Sequence, residues 1–151
     1  MKHVTRFALI MALAFALPYV LYADCPGKCS GNCMSEKAGA FVKSVPENML
    51  YLISVEDVAM ALEQGEDMVV LDVRPSDHYS KGHIEGSLNV PLPKLVDHIE
   101  KVPKGKKLAV VCTMDTNSAF AVAILQMHGY DAWILQGGVP GWEEAGQSLV
   151  K

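Results

Sequence analysis

The chain is short of what several classes of protein require. Four cysteines in 151 residues are too few for a scaffold built on disulfides, and no Cys/His pairs stand at zinc-finger spacing. No block of like charge exceeds a few residues, and 13 Lys+Arg face 17 Asp+Glu, for a formal charge of −4. A basic face for nucleic acid is therefore not expected. Half of the residues are hydrophobic and 20% are charged, which excludes intrinsic disorder and collagen-like repeats. There is no internal repeat. The length suits one domain and is too small for two ordinary ones.

What is present begins with a basic start, Lys2, His3 and Arg6, and an uncharged run of 17 residues from Phe7 to Ala23. Pro18 interrupts that run, and Leu21-Tyr22-Ala23 ends it on a small residue. The pattern is that of a secretory signal peptide over residues 1–23, with cleavage after Ala23. As a membrane anchor it would be at the bottom of the spanning range and broken by proline, so no stable membrane insertion is expected after cleavage. Asp24 before Cys25 argues against a lipoprotein signal. Loss of Lys2 and Arg6 leaves a more acidic chain, bound for an oxidising space such as the periplasm or the exterior.

Residues 24–49 form a Cys-rich N-terminal extension. Asp24 to Ser35 is rich in Cys, Gly and Ser and reads as a loop or loose tail, and Glu36 to Pro46 as a short helical piece. A compact domain is expected over residues 50–151. Met49 to Ser54 reads as a strand. Ser54 caps a helix, with Asp57 three residues on; Val58, Ala59, Ala61 and Leu62 supply its buried face, and Gly65 ends it. Met68–Val73, Leu108–Cys112 and Ala132–Leu135 are runs apolar on both faces, as in parallel strands covered by helices. The clearest helix between them is Asn117 to His128, closed by Gly129. The alternation predicts an α/β domain with a mainly parallel sheet.

Ligands of such sheets bind beyond the carboxyl ends of the strands. Asp72 and Cys112 stand at two such ends. Cys112 leads through Thr113-Met114-Asp115-Thr116-Asn117 into a helix beginning near Ser118. There it faces unpaired N–H groups and the positive end of the helix dipole. That setting suits a nucleophilic thiolate, a persulfide anion or an oxyanion. By position alone, an inert buried cysteine is an equal reading.

The flanking motifs decide between them. Leu71-Asp72-Val73-Arg74 with Tyr79-Ser80-Lys81-Gly82-His83-Ile84-Glu85-Gly86-Ser87-Leu88-Asn89-Val90-Pro91 resembles the N-terminal signature of rhodanese domains. Gly129-Tyr130 with Leu135-Gln136-Gly137-Gly138-Val139-Pro140-Gly141-Trp142 resembles their C-terminal signature. The resemblance runs from about Tyr51 to Gly146 and is closest in shape to the single-domain exported rhodaneses of bacteria. It implies a five-stranded, mainly parallel sheet flanked by helices on both faces. It also implies sulfur transfer: a sulfane sulfur passes from a donor such as thiosulfate or a polysulfide to Cys112, then to a thiol or cyanide. By carry-over, Cys112 is the nucleophile, and the amides from Thr113 to Ser118 cradle the anion. Ser118 is the hydroxyl that closes the loop, and Asp72 and Arg74 brace the site. His83 is a structural imidazole.

Three departures bear on the donor. Asp115 stands where glycine is common, putting a carboxylate near the donor at a place where positive φ is usual. The loop has no Lys or Arg. His78 replaces a usual glutamate partner of Arg74, with Asp77 one place earlier as the substitute. Phosphatase relatives carry Arg six places after the cysteine, where this chain has Ser118, and that reading is set aside.

Cys25, Cys29 and Cys33 repeat at four-residue spacing. They can form one local disulfide with a spare thiol, act as accessory thiols that unload Cys112, or hold a soft metal, in that order of preference. His98 and His128 are read as helical surface or core residues, Trp133 and Trp142 as packing, and Met114 as the pocket mouth. The leading expectation is an exported sulfurtransferase with no cofactor and no resident metal. Its partners would be a small sulfur-containing substrate and a thiol acceptor protein. The alternative is a catalytically weak binding module for sulfur species or a protein partner.

Overall fold

A computed structural model describes residues 32–45, 47 and 51–151. The expected signal peptide, Cys25 and Cys29 lie outside them, as does the side chain of Cys33. No helix among the described residues is long and apolar enough to cross a membrane.

The elements in chain order are α1 (Asn32–Ser44), β1 (Leu52–Ile53), α2 (Val55–Glu63), β2 (Met68–Asp72), α3 (Ser76–Tyr79), β3 (Leu88–Asn89), β4 (Lys107–Val111), α4 (Asp115–Met127), β5 (Asp131–Leu135) and α5 (Gly138–Glu144). Two single 3-10 turns, Leu92–Lys94 and Ile99–Lys101, lie between β3 and β4. The five strands form one sheet in the order β1-β5-β4-β2-β3, and every pairing is parallel. In register, Asp72 stands opposite Val111 and Val110 opposite Ile134.

Strand side chains alternate between faces, and the two-sided apolar runs divide accordingly. Leu71, Leu108, Val110, Ala132 and Ile134 join a core with Ala121, Val122 and Leu125 of α4. Val70, Ala109, Val111 and Leu135 join another with Val58 and Ala59 of α2 and Trp142 of α5. Each fully buried Leu or Val contributes about 1.5–3 kcal/mol, so both faces must be covered. This is the expected α/β architecture with helices on both faces.

Local signals act as anticipated at several ends. Ser54 Oγ accepts the Asp57 N–H (3.1 Å) at the start of α2. Gly65 follows its end at φ +68, with the Glu66 N–H returning to the Ala61 carbonyl (2.9 Å). Other boundaries differ. The first strand is only Leu52–Ile53, because Tyr51 before it takes φ +56. That left-handed backbone is held by the side chain: the Tyr51 hydroxyl donates to the Ser44 carbonyl (2.8 Å), and its ring stacks on Phe41 at 6.1 Å. Strand β4 ends at Val111, leaving Cys112 in the turn. His98 is not helical; it stands at φ −125 before the second 3-10 turn.

The extension also departs from expectation. Helix α1 begins at Asn32, so residues 32–35 are not loop, and the backbone of Cys33 is helical. Phe41 and Val45 pack on the α4-side core, which gives this segment an apolar footing the sequence did not advertise.

Candidate active site

Three turns meet at the carboxyl edge of the sheet. Strand β4 is flanked by β2 and β5, so the turn after β4 lies between the turns that carry Asp72-Arg74 and Gly137-Val139. Cys112 opens the central turn. Its side chain is a free thiol and only 4% exposed.

Met114, extended at φ −132 and ψ 140, is the N-cap of α4, and its side chain makes no capping bond. It is 61% exposed. The helix begins at Asp115, not near Ser118. The first amides of any helix have no intrahelical acceptor. Between Thr113 and Asn117 the described backbone donates once, from the Asn117 N–H to the Met114 carbonyl (3.2 Å). This is a row of donors open to an anion. The Asn117 side-chain amide donates weakly to Cys112 Sγ (3.6 Å). Ser118 is fully buried, and its Oγ has no hydrogen-bond partner among the described residues. Thr116 lies in the exposed first turn of α4.

Asp115 corrects an expectation. It does not take a positive φ; among the described non-glycine residues only Tyr51 does. As the first helical residue its carboxylate lies by the positive helix end, a favourable place. Its Oδ2 accepts the Gly137 N–H (3.2 Å), while Oδ1 is buried without a partner. The residue thus ties the cysteine loop to the turn after β5.

That turn is a second clamp. The Val139 N–H donates to the Cys112 carbonyl (2.9 Å). Gly138, at φ +60, lies so close that a Cβ there would stand 2.3 Å from the same oxygen. The motif contributed to the resemblance, but its role was not read from the sequence. The adjacent glycines in Gln136-Gly137-Gly138 were the available signal.

Asp72 and Arg74 brace the other flank. Asp72 is fully buried; it accepts Arg74 Nε (2.9 Å) and Nη2 (2.6 Å), and its Oδ1 also takes the Arg74 N–H (2.9 Å). Nη2 donates further to the Gly82 carbonyl (2.8 Å), fastening the turn after α3. The Val73 N–H donates to the Val111 carbonyl (2.9 Å), one residue before Cys112. Asp77 does not substitute for the missing glutamate. Its carboxylate lies 3.8 Å from both Lys81 and His78, on the exposed side of α3. His83 stacks on Tyr79 at 3.9 Å and is structural in its contacts.

A cleft of about 320 Å³ adjoins the cysteine loop, lined by Arg74, His78, Lys81, Thr113, Pro140 and Glu143 among others. A larger groove of about 570 Å³ lies elsewhere, against Leu52, Met60, Met68 and Trp133. No cysteine lines it, and size alone does not make it the reactive site. No group of three or more His, Cys, Asp or Glu residues among the described residues could hold a metal.

The fold is that of a known family. The model of the Rhodanese-like domain matches residues 54–145, and the chain belongs to that family. Two maize adenylyltransferase and sulfurtransferase proteins are 32% and 31% identical over 117 residues, 72% of this chain in each case. The chain spans only about a quarter of their length, 24% and 25%. A sulfurtransferase of Allochromatium vinosum is 26% identical over 68% of this chain and 96% of its own. The crystal structure of a rhodanese-related protein from Thermoplasma volcanium superposes with a TM-score of 0.61 at 30% identity, covering 66% of this chain and 96% of that one. The chain is thus a rhodanese-like domain whose curated relatives include proteins named sulfurtransferases. Helix α1 precedes the matched region.

Proposed function

We propose that this protein is a sulfurtransferase that carries sulfane sulfur as a persulfide on Cys112. The observation that carries the reading is the buried Cys112 at the mouth of helix α4, with open amides from Thr113 onward and the orphan Ser118 hydroxyl four residues into that helix. A terminal persulfide sulfur is anionic and needs such donors. The donor is a small sulfane compound of the thiosulfate or polysulfide kind, and the acceptor a thiol, free or on a protein, or cyanide. The basic and apolar N-terminal segment supports export to the periplasm or beyond. Asp72 and Arg74 hold the turn beside the nucleophile and take no part in the chemistry.

Intact mass after exposure to polysulfide or thiosulfate is the test. A gain of about 32 Da, one sulfur on a thiolate nucleophile, is expected for the native chain. It should be absent from Cys112→Ser, whose hydroxyl is nearly isosteric but a poor substitute nucleophile. Undiminished cyanide-dependent turnover in Cys112→Ser ends the assignment. A second reading, a binding module without turnover, draws on the Asp115 carboxylate in a loop that has no cation. A folded protein inert to every donor would favour it.

A further inference from the structure

We infer that residues 147–150, the segment after α5, are a tie that joins the two flanks of Cys112 and so sets where the cysteine loop stands. Leu149 and Val150 are its positioning residues. The rate that the tie changes rests on the sulfurtransfer reading; the tie itself does not.

The family model ends at residue 145, and the chain then turns back on itself. Gly146, at φ +79, follows α5, and the Gln147 N–H donates to the Trp142 carbonyl (3.2 Å). Trp142 is buried, and its indole N–H donates to the Ser148 carbonyl (3.1 Å). Val150 pairs with His83 in an antiparallel bridge. The His83 N–H donates to the Val150 carbonyl (2.9 Å), and the Val150 N–H to the His83 carbonyl (2.8 Å). Leu149 packs on the core that holds Ile84, Val139 and Trp142. It also lies over Gly82, where a Cβ would stand 3.4 Å from its Cδ1.

Each end of the tie reaches one flank. On the β5 side, Trp142 belongs to α5, whose second residue, Val139, donates its N–H to the Cys112 carbonyl (2.9 Å). On the β2 side a single peptide unit makes the link. The Gly82 carbonyl and the His83 N–H are the two polar groups of one planar trans peptide and point opposite ways. That carbonyl accepts Arg74 Nη2 (2.8 Å), while the N–H holds Val150. Arg74 grips the buried Asp72 (Nη2 to Oδ2, 2.6 Å). Beside it the Val73 N–H holds the carbonyl of Val111, the residue before Cys112. The bonds thus close a ring that leaves the Cys112 carbonyl and returns to the strand residue next to it. Turns open locally more readily than core strands. Two turns fastened to each other therefore confine the third between them. A segment that only covered apolar surface would add stability without fixing the loop.

Variants of the full chain test this. Deletion of residues 149–151 removes Leu149 and both Val150 bonds. Val150→Pro removes only the N–H bond to His83, and Val150→Ala keeps the backbone pairing as the conservative control. Gly65→Ala lowers stability away from the tie, with nothing within 4 Å of its Cβ. Sulfur loading from polysulfide is read as timed gain of mass. It should slow about tenfold in the deletion, less than the roughly hundredfold cost of a 1 Å misplacement. Val150→Pro should slow it about threefold to fivefold, as for one lost hydrogen bond. Val150→Ala and Gly65→Ala should load at the native rate. In NMR spectra the Thr113 amide should shift, and the Arg74 Nε–H should exchange faster with solvent, in the deletion and in Val150→Pro alone. Native loading by the deletion variant overturns the inference, as does an equal slowing in Gly65→Ala. If the native chain gains no sulfur, the proposed function fails. The Thr113 amide and the Arg74 Nε–H then still decide the tie, and native signals in the deletion variant overturn it.

Discussion

Replacing Gly138 by alanine should cost both stability and reactivity, for separable reasons. The residue stands at φ +60, and an ideal Cβ would lie 2.3 Å from the Cys112 carbonyl oxygen and 3.3 Å from its carbon. Ordinary contact begins near 3.4 Å, so about 1 Å of movement is required. The obstructing atom is backbone, and no rotamer change relieves it. The left-handed conformation costs alanine about 1–2 kcal/mol, and loss of the Val139 N–H bond to Cys112 about 1 kcal/mol more. The sum, about 2–3 kcal/mol, lowers Tm by about 8–12 °C for a domain of this size. A 1 Å displacement of the nucleophile slows sulfur uptake on the order of a hundredfold. Gly65→Ala is the control. Gly65 has a similar φ of +68 but nothing within 4 Å of its Cβ, so it carries the conformational cost alone and leaves uptake intact. Thermal unfolding by circular dichroism and timed intact-mass loading measure the two effects. If both alanine variants lose equal stability and Gly138→Ala loads sulfur at the native rate, the clamp argument is wrong.

Asp115→Asn keeps an acceptor for the Gly137 N–H and removes a charge beside the donor, worth on the order of 1 kcal/mol in a partly exposed site. KM for thiosulfate should fall about threefold to fivefold; an unchanged or higher KM assigns Asp115 a positive role. Asp115→Gly should make the same kinetic change but also lower Tm, because it loses the Asp115–Gly137 bond (3.2 Å) and places glycine in a helix. Asp72→Ala leaves the Arg74 guanidinium buried without its carboxylate and should cost about 3–5 kcal/mol, read from urea unfolding; a loss below about 1 kcal/mol would mean that water reaches the pair. The helical piece of the extension, α1, takes up Asn32–Ser44 and packs Phe41 on the core. A mixed disulfide between Cys112 and Cys25, Cys29 or Cys33 remains the outcome expected of a thiol relay. Non-reducing peptide mapping that never finds one, with normal persulfide unloading in the triple Cys→Ser variant, ends that role.

The sequence by itself determined which segments would be buried and on how many sides. Val70-Leu71 and Leu108 to Val111 are apolar at successive positions, and only strands covered on both faces accept that pattern. Short-range chemistry was equally legible: Ser54 with Asp57 started α2, Gly65 and Gly129 followed helix ends at positive φ, and Cys112 fell at a strand's carboxyl end. Motif resemblance then supplied the family and a candidate site. Only the tertiary structure decided which distant groups meet. The strand order places Asp72 and Gly138 on opposite flanks of Cys112, and no local pattern encodes that order. Asp115 was misread for this reason. Its residue type suggested backbone strain, but its conformation follows from the helix it begins and its carboxylate from the Gly137 N–H across the turn. The stacking of Phe41 on Tyr51 is hidden likewise. Periodicity records whether a side chain faces solvent, whereas the identity of its neighbour is fixed by packing the faces together.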